Sequence, residues 1–101
     1  MDPALPATVA EVIVELPDAR SQSVDGVVTW TREGRPFAVL GPNGIEILLD
    51  RPIAAAATRT PDTAPSARGN DWIRFDPREL DSHAIDRLRA WLELGYRRAG
   101  T

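Results

Sequence analysis

Residues 25–44 leave this chain few choices of fold. Asp25-Gly26, Glu33-Gly34 and Gly41-Pro42-Asn43-Gly44 are three turn signals in close succession. Asp-Gly is a hairpin signal, and the Asn43-Gly44 pair supplies the positive φ angles that a tight reversal needs. The intervening segments read as strands at residues 21–24, 27–32, 36–40 and 45–50. In the second of these, Val28, Trp30 and Arg32 share one face, and Val27, Thr29 and Thr31 the other. Pro36 is tolerable because it begins its strand and owes the ladder no N–H. Strands joined by turns at such short intervals describe an antiparallel meander.

Helical signals flank the meander. Thr8 and Glu11 have the spacing of a capping box, in which each side chain satisfies a free backbone N–H at a helix start. Val9, Val12, Ile13 and Leu16 follow at helical spacing, and Pro17 is a stop, so the first helix is placed at 8–16. Pro52 suits the first turn of a short Ala-rich helix at 52–58. A Pro-rich loop, 59–71, runs into a short strand at 72–75. The last helix spans 82–99, with Asp81 or Ser82 as cap. Its apolar stripe is Ile85, Leu88, Leu92, Tyr96 and Ala99, widened by Ala84 and Trp91. Arg89–Glu93 and Glu93–Arg97 stand at i,i+4 spacing, and Gly100 fits the position after the helix end. The order α-β-β-β-β-α-β-α gives an α+β domain: a single antiparallel β-sheet with helices packed on one face. One domain spans 1–101, with its core at about 8–99.

Composition narrows the function classes. The 101 residues are 43% apolar, enough for a core without staples. The formal charge of −3 and the pI near 5.0 argue against a protein that coats nucleic acid. All twelve basic residues are Arg, which reads as genome composition rather than function. Zero Cys removes disulfides, thiolate catalysis and zinc-thiolate sites together. The N-terminus has no basic start followed by an apolar run, and no segment approaches the length of a membrane helix. The expectation is a cytoplasmic protein with no membrane contact, a monomer or weak homodimer.

No catalytic set can be assembled. His83 is the only imidazole and falls in the first turn of the last helix, where a solvent-exposed or capping role is expected. Ser, His and Asp are all present, but no Gly-x-Ser-x-Gly elbow is. Gly41-Pro42-Asn43-Gly44 joins two strands, so it is not a phosphate loop opening a helix. No metal and no cofactor are expected. The remaining candidates are Arg35, Arg59, Arg68 and Arg74, which fall in turns, the long loop or the strand beside it, together with Trp72. Two readings stand side by side. The Arg side chains pair with Asp62, Asp71 and Asp76 and pin the loop to the sheet, or they line a pocket for an anionic, partly aromatic ligand. Trp72, first in its strand, is expected to be substantially buried and to anchor the loop. Trp30 and Trp91 are expected in the core.

Several segments resemble the MmcQ/YjbR-like family in order and spacing. They are Leu16-Pro-Asp-Ala19, Phe37-Ala-Val-Leu40, Ile45-Glu-Ile-Leu-Leu-Asp50, Pro61…Pro65-Ser66, Asp71-Trp72-Ile73 and Leu94-Gly-Tyr-Arg-Arg-Ala99, over roughly residues 9–99. The resemblance implies a compact α+β fold of the double-wing or CyaY-like type. It implies little about activity, DNA binding having been proposed for some members. Relatives tend to carry a basic residue just before the strand Trp, where this chain has Gly69-Asn70-Asp71, and that weakens a nucleic-acid role. The functional expectation is therefore a non-enzymatic binding or interaction domain for a small anionic ligand or a protein. The alternatives are a DNA-binding module and an enzyme acting on an anionic substrate.

Overall fold

The first two turn signals each close a two-residue hairpin. Asp25 and Gly26 have φ of 52° and 81°, and so do Glu33 and Gly34, the left-handed pair that matches strand twist. In the computed structural model, which describes residues 1–101, the elements run α1 (Leu5–Ile13), β1 (Ala19–Val24), β2 (Val27–Arg32), β3 (Arg35–Gly41), β4 (Gly44–Leu48), α2 (Arg51–Ala57), β5 (Thr63–Pro65), β6 (Trp72–Phe75) and α3 (Ser82–Ala99). One six-stranded antiparallel sheet has the order β1-β2-β3-β4-β6-β5. After the meander the chain crosses through α2, forms the far edge as β5, and turns back to insert β6 beside β4. The fold is the expected α+β arrangement, with one strand more than the sequence showed.

Cross-strand neighbours share a face, so the register sorts the sheet into two sides. Trp30, Ala38, Ile47 and Ile73 are one row of partners; Leu40, Ile45 and Phe75 are the next. All are buried, and they form one apolar cluster with Leu5, Val9, Val12 and Ile13 of α1, Ala54 and Ala57 of α2, and Ala84, Leu88, Trp91, Leu92 and Ala99 of α3. A bulge adds to this face: Trp30 pairs with Ala38 but Thr31 pairs with Pro36, so Phe37 is an extra residue. Phe37 is fully buried, with its ring 6.0 Å from that of Tyr96. Trp91 packs edge-on against Phe75 at 5.1 Å. Gly95 lets α3 approach the sheet: a Cβ there would stand 2.7 Å from the carbonyl oxygen of Leu48.

Several local expectations give way to tertiary structure. α1 begins at Leu5, with Pro6 in its first turn, and Thr8 donates back to the Ala4 carbonyl instead of capping. The Asp2 carboxylate accepts from Ala4 N and Leu80 N, and full burial of Leu5 fixes the earlier start. Asn43 does not take positive φ; Pro42 sets the turn and only Gly44 enters the left-handed region, at 112°. Asp50 leaves its strand to cap α2, accepting from Ile53 N at 3.0 Å. On α3 neither i,i+4 pair forms: Arg89 reaches Glu15 of the α1–β1 connection at 3.7 Å. Asp81 caps α3 through Ala84 N as expected, and the buried stripe is turned toward Ala84, Trp91 and Gly95, leaving Ile85 and Tyr96 half-buried.

Candidate functional site: a cleft on the bare face of the sheet

The other side of the sheet carries the row Thr29, Val39, Glu46, Arg74 and Ala64. Val39 is only 3% exposed yet lies outside the apolar cluster, on the wall of a cleft that it shares with Ser66, Ala67 and Arg68 of the β5–β6 loop. That loop is a tight hairpin end. Ser66 N donates to Trp72 O and Trp72 N to Gly69 O at 3.2 Å, while Arg68 N donates to Ser66 Oγ at 3.1 Å. Ser66 Oγ donates to Glu46 Oε2, and Arg68 Nε stands 3.2 Å from Glu46 Oε1. A single sheet carboxylate therefore holds two loop residues. Asp71 fixes the other end of the loop: its carbonyl accepts from Leu49 N at 2.6 Å and its carboxylate meets Arg98 of α3 at 3.1 Å.

Between loop and sheet lies a cleft of about 260 Å³, bordered by Val39, Asn43, Glu46, Ser66, Arg68 and Arg74, with no helix residue in its wall. Arg74 stands opposite Glu46 on the neighbouring strand, but the carboxylate is turned to Arg68. The only bond of the Arg74 guanidinium is one of 3.5 Å to the Asn43 carbonyl, at the limit of a hydrogen bond. It has no carboxylate partner, and most of its five donors face the cleft or solvent. On the far side of the same loop, a larger cleft of about 560 Å³ runs along α2, walled by Trp72, Ser66, Asn70 and Arg51. The Arg68 guanidinium lies 5.6 Å from the Trp72 ring centre.

Three of the five sequence candidates, Arg68, Trp72 and Arg74, thus meet at one hairpin. Arg35 does not join them: it sits at the β2–β3 turn and donates to the Thr101 carbonyl. Arg59, just past α2, borders neither cleft and is exposed without a partner. The loop carboxylates take other partners than the four candidates: Asp62 pairs with Arg78 at 3.6 Å and Asp71 with Arg98. Trp72 is half-buried, less covered than expected, because one side of its ring borders the α2 cleft. Trp30 and Trp91 are in the core. Sequence reasoning missed Glu46, Ser66 and Arg51. Glu46 did carry a signal, as the one charged residue in the apolar run Ile45-Glu46-Ile47-Leu48-Leu49.

Chemically, the cleft offers an unpaired planar fork, a neutralised ion pair and a hydroxyl. His83 is exposed on α3, outside both clefts, so no imidazole adjoins Ser66. No group of three or more His, Cys, Asp or Glu side chains is placed to hold a metal ion. No helix is long and apolar enough to cross a membrane. Comparison with protein-family models, curated proteins and solved structures finds no match to this chain.

Proposed function

We propose that this chain is a binding domain without catalytic chemistry, taking a small anionic ligand in the cleft between the β5–β6 loop and the bare face of the sheet. The observation that carries the reading is Arg74: a guanidinium on β6, a strand paired on both sides, facing a cleft, with no carboxylate partner. A carboxylate or phosphate oxygen pair would complete its fork with two parallel charge-assisted bonds. Two guanidinium groups against one carboxylate leave the cleft positive, which favours an anion. The Glu46–Arg68–Ser66 contacts hold the loop in place before a ligand arrives, so little ordering cost remains. Trp72 takes no part in this cleft: it lines the separate α2 cleft on the other side of the loop.

The test is a two-dimensional NMR titration with benzoate and with inorganic phosphate. Saturable shifts at Arg74, Glu46 and Arg68, lost in Arg74→Ala and weakened in Arg74→Lys, are expected. Absence of saturable shifts with both anions overturns the reading. Duplex DNA fits less well, since Arg68, Arg78, Arg89 and Arg98 are each paired with a carboxylate and the net charge is −3. Kinship with the MmcQ/YjbR-like family is part of the same proposal; the α+β architecture supports it at the level of fold class only.

A further inference from the structure

The two edges of the sheet are built differently. β5 has three residues and includes Pro65, which has no N–H to offer. β1 has six residues, no Pro, and unbroken pairing with β2 from Ala19↔Arg32 to Val24↔Val27. Every β1 residue after Ala19 is exposed. Short length and Pro are the usual protections of an edge; β1 has neither, nor a bulge, and such an edge is a template for another strand.

Its unpaired groups can be identified. A two-residue turn makes Val24 and Val27 a mutually hydrogen-bonded pair. Alternation then directs the backbone groups of Val24, Gln22 and Arg20 toward β2, and those of Ser23, Ser21 and Ala19 outward. Of the outward N–H groups, only that of Ala19 has an internal partner, the Leu16 carbonyl at 3.4 Å. The side chains of Ser21 and Ser23 lie on the helix side of the sheet, opposite Trp30 and Val28. Along the same edge runs an apolar groove of about 250 Å³, in which Ile13, Val14, Leu16 and Ala19 adjoin Trp30, with Ser21 at its rim. Val14 is 81% exposed, although it belongs to the most apolar part of the chain's first third.

We infer that β1 pairs with β1 of a second copy of this chain, antiparallel about a two-fold axis at Ser21. That register is self-complementary. Ser21 exchanges both backbone bonds with its counterpart, and each Ser23 N–H reaches the Ala19 carbonyl of the other copy. Arg20, the only charged residue of the strand, falls opposite neutral Gln22 and not opposite another Arg. Ser21 being at the groove rim, the axis brings the two grooves together, and Val14 gains an apolar neighbour. Two six-stranded sheets become one continuous sheet, and the remaining outer edges are the short, Pro-bearing β5 strands.

Sedimentation equilibrium of the 101-residue chain over a concentration series tests this, with amide exchange as the local readout. The expected result is a monomer–dimer equilibrium in which the Ser21 and Ser23 amides exchange more slowly as concentration rises. Ser21→Pro removes an outward N–H that the monomer does not use, so the folded spectrum should persist while association weakens about tenfold or more. If that variant does not fold, Val14→Glu, at an exposed site, should weaken association in the same way. A chain that stays monomeric at the highest concentration overturns the inference. So does a dimer in which the Ser21 and Ser23 amides exchange as freely as in the monomer.

Discussion

The two faces of one sheet are held by different forces. The helix-side face is made of Trp30, Ala38, Ile47, Ile73, Leu40, Ile45 and Phe75, closed by helices with no buried polar or charged residue. Its energy comes from area removed from water and from close packing, which are large and tolerate no polar substitution. The bare face is held by a carboxylate, a hydroxyl and a guanidinium that are all partly exposed. Exposed ion pairs contribute little to stability, so these groups are free to serve as a site. The same strands supply both: Ile45 and Ile47 point one way, Glu46 between them the other. On the proposed reading, stability and binding fall to alternate residues of β4 and β6, and substitutions should separate them.

The largest expected effect is on the packed face. Leu92 is fully buried between α3 and the sheet. Leu92→Ala should lower unfolding free energy by ~2–5 kcal/mol through lost transfer and a residual cavity. Chemical denaturation at fixed slope measures it. A loss below ~1 kcal/mol would mean that the α3 face is not a close-packed interior and would break the comparison.

Gly95 should behave in the opposite sense to helix propensity. Gly→Ala in an exposed helix interior gains roughly 1 kcal/mol. Here the added methyl meets the Leu48 carbonyl at 2.7 Å and the Phe37 carbonyl at 3.3 Å, both backbone atoms of neighbouring strands. Gly95→Ala should therefore destabilise by ~1–3 kcal/mol as α3 is pushed off the sheet. A thermal midpoint equal to or above that of the parent would show that α3 can shift without cost.

How far these features were legible in the sequence follows from how local their causes are. The hairpins at Asp25-Gly26 and Glu33-Gly34 were readable because positive φ is set by the turn residues themselves. The length of α3 was readable from its own periodicity, but its buried face only in part. Leu88, Leu92 and Ala99 are buried as the stripe predicts, whereas packing against the sheet turns the helix toward Trp91 and Gly95 and leaves Ile85 and Tyr96 half-buried. β5 was not: Thr63-Ala64-Pro65 has no periodicity, and it is a strand only because β6 returns beside it. The start of α1 was misplaced because the Thr8–Glu11 spacing and the Pro6 first turn are both sound local signals, and burial of Leu5 chose between them. At the site, Arg68, Trp72 and Arg74 are close in sequence, so their gathering at one hairpin needed little long-range information. Glu46 joins them only through the β4–β6 register, and Arg35 and Arg59 are separated from them by the same topology.

A smaller effect is expected on the bare face at Glu46. Its side chain is 24% exposed, and its partner Arg68 is 43% exposed. Glu46→Ala should cost ~1 kcal/mol or less after solvent screening, and high salt should reproduce part of the loss in the parent. The informative readout is local: the Arg68 and Gly69 amides should exchange faster while those of Ile47 and Ile73 do not. Equal acceleration at all four would show that the loop and the core open together, and the two faces would not be energetically separate.

The smallest effect on stability, and the sharpest on binding, is expected at Arg74. Its side chain is exposed and makes one bond of 3.5 Å, so Arg74→Ala should change unfolding free energy by no more than ~0.5 kcal/mol. Removing it takes the unpaired fork out of the cleft and leaves Arg68 already committed to Glu46. Binding of benzoate or phosphate should then fall to the level of non-specific screening. Arg59→Ala is the matched control, since it removes one exposed positive charge outside both clefts and alters the net charge equally. If the two variants weaken anion binding to the same degree, the effect is one of overall charge and the cleft has no special claim. If only Arg74→Ala does so while both melt with the parent, the bare face carries the binding and the packed face carries the fold.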